Sequence, residues 1–242
     1  NLARAPLDDE RVRHAIALLI DRRNIASHVF ANLERPALWP IWPGGPVDGP
    51  EATVPELDPA TAGKLLDEAG WTDRDGDGIR DKDGKQLRLI LIGAEHPAPD
   101  PSNPAKKTER DYFVEAAKRI GVLIEVKAGG EAFLDKRTTD GSWDIIEESW
   151  AALADGPLDP LLGSAAPADS PIHKALDALA AAWDPAEREK LAPELASALA
   201  DSWPLAGIVA DAPQGLASRR LRNVRVWDGW IDLSVLSFGE SP

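Results

Sequence analysis

Leu87-Arg88-Leu89-Ile90-Leu91-Ile92 is a short apolar run interrupted by one charge, the composition of a buried strand. A Pro-rich loop at 97–104 follows. Residues 106–120 then place Tyr112, Phe113, Ala116 and Ile120 at the spacing of one helix face. Gly121 is a helix stop, and 122–127 reads as a second strand. Strand, helix and strand joined through a glycine turn form a βαβ unit, which predicts parallel strands and a right-handed crossover.

The same grammar extends in both directions. Upstream, Asp8 or Asp9 caps a helix whose Val12, Ala15, Ile16, Leu19 and Ile20 recur at helical spacing. Asp58-Pro59 opens another helix, with proline at its first position, running to Gly70-Trp71. Between them, 36–50 is a loop dense in Pro and Gly that carries Trp39 and Trp42. Downstream, 131–137 predicts a short helix and 143–150 a strand. Helices follow over 172–182 and from Asp184-Pro185, with strand-like runs at 205–210, 224–227 and 231–238. The alternation gives an α/β lobe built on a mixed sheet with flanking helices.

The 242 residues carry 41 Asp plus Glu against 27 Lys plus Arg, a formal charge of −14, which disfavours a nucleic-acid partner. No apolar run approaches the ~20 residues of a membrane span. With no Cys, disulfides, thiolate nucleophiles and cysteine metal sites are excluded. There is no Met either, and the opening Asn1-Leu2 reads as the start of a processed or excised piece.

Catalytic motifs are missing from the sequence. His14, His28, His96 and His173 form no pair at metal-ligand spacing, and no nucleophile elbow or phosphate-binding glycine loop occurs. One metal-like pattern exists. Asp73, Asp75 and Asp77 fall at positions 1, 3 and 5 of a calcium loop, Gly78 at 6 and Asp81 at 9, but Gly84 stands where a bidentate Glu is required. The competing reading is a turn rich in Asp and Gly for geometric reasons. Nine Trp against one Tyr is the other oddity; Trp39, Trp42 and Trp150, in loops or at a strand end, are candidate pocket walls.

Four segments together resemble the family 5 extracellular solute-binding proteins, the peptide- and nickel-binding components of ABC importers. They are Asp9-Glu10-Arg11-Val12-Arg13-His14-Ala15-Ile16 with Ile20-Asp21-Arg22; Leu65-Leu66-Asp67-Glu68-Ala69-Gly70-Trp71 with Asp75-Gly76-Asp77-Gly78; Ile120-Gly121-Val122; and Trp143-Asp144-Ile145 through Trp150 to Asp159-Pro160. Arg13 and Asp21 match family positions, where ion pairing or capping is the simpler role.

The resemblance implies a periplasmic-binding-protein type II-like fold of two lobes closing on a ligand. It implies that residues 1–242 are the C-terminal ligand-binding lobe, with an N-terminal lobe lying outside this chain. It implies a peptide or small-molecule ligand, an ABC permease as partner, and a periplasmic or extracellular location with any lipid anchor on a preceding segment. In peptide binders of this family an Asp three residues after the strand-end Trp pairs with the ligand's amine. Here that position is Leu153 and the nearest acid is Asp155, which either serves that role from a longer loop or belongs to a turn. Ligand contacts are therefore expected at Trp150, Asp155, Trp39 and Trp42. The alternative function is the effector domain of a cytoplasmic transcriptional regulator, which a helix-turn-helix module upstream would mark.

Overall fold

A computed structural model describes residues 1–37, 54–96, 106–148 and 169–211, with the short strands 221–222, 226–227, 230–231 and 237–238. The predicted βαβ unit is at its centre. Strand β4 (Arg88–Gly93) is flanked by β5 (Leu123–Ala128) and β6 (Ile145–Glu147), both parallel to it, so that Leu91 lies beside Val126 on one side and Ile145 on the other. Among the described residues this sheet is wholly parallel. Antiparallel pairing occurs in separate two-stranded ribbons: β1 (Glu34–Pro36) with β7 (Val209–Asp211), β2 (Asp81–Lys82) with β3 (Lys85–Gln86), β8 (Leu221–Arg222) with β11 (Ser237–Phe238), and β9 (Val226–Trp227) with β10 (Trp230–Ile231).

Helix starts follow the predicted caps. Helix α1 (Glu10–Ala17) begins at Asp9, whose carboxylate accepts the Arg11 N–H at 2.9 Å. The one-turn α2 (Arg22–Asn24) is capped by Asp21 and runs into a π-helical turn, Ile25–Val29. Helix α3 (Pro59–Glu68) is capped by Asp58, which accepts the Thr61 N–H at 2.9 Å. The crossover helix α4 (Glu109–Arg119) opens with a reciprocal capping box between Thr108 and Asp111. It ends at Gly121, where φ is +81° and a Cβ would stand 3.0 Å from the Gly78 carbonyl, so both the turn and the close approach need glycine.

Among the described residues, packing produces two apolar clusters. The larger joins α1, α3, α4 and the sheet through Val12, Leu19, Ile25, Leu66, Leu87, Leu89 and Phe113. Each fully buried Leu, Ile or Val contributes about 1.5–3 kcal/mol. After α5 (Glu131–Thr139), the helices α6 (Pro171–Ala181) and α7 (Pro185–Ser202) form a hairpin with its own cluster, Ile172, Leu176, Leu179, Leu195 and Leu199. The hairpin meets α1 where the His14 ring stacks on Trp203, centroids 4.5 Å apart. Trp183, between the two hairpin helices, is 94% exposed. None of the described helices is long and apolar enough to cross a membrane.

Candidate functional site

The family-like charged residues turn out to be fastened to backbone. Arg22 is 2% exposed, and its Nε donates to the carbonyls of Ala37 at 3.0 Å and Gly207 at 2.7 Å while Nη1 donates to Ala17 at 3.2 Å. One guanidinium thus ties the end of α1 to β1 and to the approach to β7. Burial lowers its pKa to about 10, which leaves it charged at neutral pH. Arg13 donates to the carbonyls of Leu7 at 2.9 Å and Ser202 at 2.5 Å, holding the end of α7 against α1 rather than pairing with an acid. Asp144, 3% exposed, accepts the Ile90 N–H of β4 at 2.6 Å and the Arg4 Nε at 3.1 Å, so it fixes β6 beside β4.

In open α/β sheets, ligands sit beyond the carboxyl ends of the strands. Here those ends are Gly93 on β4 and Glu147 on β6. Half-buried polar side chains meet there: His96 from beyond β4, Glu109 and Arg110 from the first turn of α4, and Glu147 from β6. His96 Nε2 stands 3.7 Å from Glu109 Oε1 and 4.0 Å from Glu147 Oε2. Arg110 bonds Glu147 Oε2 through Nε at 2.6 Å and Nη2 at 2.5 Å, and Nη2 also reaches the Ala94 carbonyl at 3.2 Å. Gly93 makes room for this pair, since a Cβ there would lie 2.5 Å from Arg110 Nη2. Sequence spacing gave no sign of the cluster. Its members lie far apart in the chain and are assembled by the parallel strand order.

The ligand contacts expected at Trp39, Trp42, Trp150 and Asp155 lie outside the described residues. The Asp-rich loop lies within them. Its Asp73, Asp75 and Asp77 are exposed, with ligand atoms within 4.8 Å of one another. Asp73 accepts the N–H groups of Gly76 at 2.8 Å and Gly78 at 3.0 Å, Asp75 that of Asp77 at 3.2 Å, and Asp77 that of Ile79 at 2.8 Å. Asp81 pairs in β2 and its carboxylate accepts the Arg74 N–H at 3.1 Å. Gly84, where a calcium loop needs its bidentate Glu, sits in the β2–β3 turn with φ +74°.

Residues 1–201 match the family described as bacterial extracellular solute-binding proteins, family 5 Middle. The chain belongs to that family. Among curated relatives it is 31% identical over 180 residues to an oligopeptide-binding protein, OppA, of Lactococcus lactis subsp. lactis, covering 68% of this chain and 28% of that one. It is 26% identical over 163 residues to the nickel-binding periplasmic protein of Escherichia coli, covering 66% and 29%. In structure it superposes on the oligopeptide-binding protein AppA of Bacillus subtilis, solved with a nonapeptide, with a TM-score of 0.72 at 18% identity, over 99% of this chain and 49% of that chain. The chain therefore spans less than a third of these curated relatives' length and about half of the solved structure. The fold is the expected α/β lobe of family 5.

Proposed function

We propose that this chain is the C-terminal lobe of a ligand-capture protein serving an ABC importer, binding peptides or similarly sized small solutes without covalent chemistry. The family match over residues 1–201 carries this reading. In it, Trp150, Trp39 and Trp42 supply stacking surfaces and Asp155 a carboxylate for a ligand amine, a favourable pairing once both charges lose water. A preceding lobe closes over the ligand, and the closed form docks on a membrane permease outside the cytoplasm. The Asp-rich loop acts as a turn, with calcium bound weakly at most.

The test is a thermal-shift panel of short peptides, nickel chelates and oligosaccharides on the intact protein. A ligand at a hundred times its Kd stabilises by about 2.7 kcal/mol, roughly 5–11 °C for a cooperative unit of about 150–250 residues. A peptide is expected to give that shift, and Trp150→Ala to reduce it. No shift from any member of the panel would overturn the reading.

A further inference from the structure

We propose that His96, Glu109 and Glu147 form a binding site for one divalent transition-metal ion at the carboxyl edge of the sheet. The distances carry the argument. His96 Nε2 is 3.7 Å from Glu109 and 4.0 Å from Glu147, and the three ligand atoms all lie within 4.8 Å of one another. A triangle of that size has its centre about 2.0–2.5 Å from each corner, against metal–nitrogen and metal–oxygen lengths of about 2.0–2.2 Å. The imidazole is too far from either carboxylate to hydrogen-bond it, so the three groups converge without satisfying one another. An ammonium nitrogen needs about 2.8 Å to each acceptor and does not fit in the plane of the triangle.

Chemistry narrows the ion further. Imidazole together with carboxylate suits zinc, nickel, cobalt or copper, whereas calcium and magnesium take oxygen ligands. Arg110 neutralises part of the acidic charge, yet two carboxylates against one guanidinium leave the site net negative before the ion enters. Arg110 also holds the Glu147 carboxylate in place through paired bonds to Oε2, so an ion at this site shares that oxygen with the guanidinium while His96 and Glu109 supply its other two ligand atoms. The side chains come from three separate segments and are half-buried, which fixes their geometry better than one exposed loop would. The site goes beyond solute capture, since the ion can bind whether or not any peptide does.

Protein without a polyhistidine tag, stripped with EDTA, is titrated with cobalt(II) chloride at neutral pH and followed by visible absorption and calorimetry. One equivalent is expected to bind with a ligand-field band. His96→Ala and Glu109→Gln are each expected to weaken binding at least about tenfold, as loss of a supporting group alone does. Circular dichroism checks that both variants stay folded. The doubly substituted loop, Asp73→Asn with Asp75→Asn, is expected to bind cobalt as the parent does. Absence of stoichiometric binding, binding unchanged in both cluster variants, or binding lost in the loop variant would overturn the proposal. Because the readout contains no peptide, its failure and that of solute capture are separate results.

Discussion

Arg22 and Asp144 are buried and bonded to backbone, whereas His96, Glu109 and Glu147, also drawn inward, converge on one another. The first pair lies between elements, joining α1 to β1 and β7, and β4 to β6. The second set lies at the sheet's open edge, on side chains whose main chain is already organised by strand pairing and by the α4 capping box. Charge held by backbone maintains a fold. At the sheet edge charge is aimed at other charge, Glu147 at Arg110 first of all, and the two kinds of region differ in what a substitution should cost.

The largest effect is expected at Arg22. Arg22→Ala removes the donors from carbonyls of three segments and leaves them buried. At about 1–3 kcal/mol for an unsatisfied buried group, a loss of 3 kcal/mol or more follows, lowering Tm by about 6–12 °C. Chemical denaturation measures it, and a loss under about 1 kcal/mol would mean that backbone attachment is not what holds this region. Asp144→Asn comes next. It turns a charge-assisted bond from Ile90 into a neutral one and discards the attraction to Arg4, about 1.5–3 kcal/mol. Hydrogen exchange at Ile90 should rise with it. Glu109→Gln gives the contrast, with a change below about 0.5 kcal/mol in metal-free buffer, as for a partly exposed residue outside the core. A large loss there would erase the distinction between the two regions.

The contact between α1 and the hairpin adds a pH-dependent test. Burial against Trp203 lowers the His14 pKa below its ordinary 6.5. The unfolded chain therefore binds the proton more readily than the folded one. Stability is full above that ordinary value and is lost as pH falls below it. His14→Phe retains a stacked ring without titrating, so the stability of the parent relative to this variant should decline as the buffer is acidified through that range. Parallel curves for the two proteins would show that the stack is indifferent to charge.

Much of the fold was legible because its signals are local. Asp9, Asp58-Pro59 and Asp184-Pro185 mark helix starts by capping chemistry and Gly121 marks a stop, whereas the helix expected from residue 106 begins at Glu109, after the Thr108 cap that apolar spacing alone does not reveal. The strands on either side of α4 follow from composition. The His96 cluster was not legible, because it depends on the order β5-β4-β6 bringing the ends of β4, β6 and α4 together across 13 and 38 residues of chain. The role of Arg22 was hidden for a similar reason, since its partners are carbonyls, which every residue has. Trp183 is exposed for a local reason: between two helix caps, Ala182 and Asp184, it has no core to enter.

The smallest effect is expected at the Asp-rich loop, where sequence alone pointed most directly to a metal. Its carboxylates already accept backbone N–H groups from Gly76 to Ile79, so the turn is organised without an ion. An ion would also lack the ligand that Gly84 cannot supply. With a Kd no better than about 1 mM, the weak end of calcium sites, calcium at that concentration adds only about 0.4 kcal/mol, a Tm rise of about 1–2 °C. Melting in calcium and in EGTA measures the difference directly. A shift above about 5 °C would place the loop among true ion sites despite its satisfied carboxylates, and lone-pair occupancy by backbone would then no longer separate the two acidic clusters among the described residues.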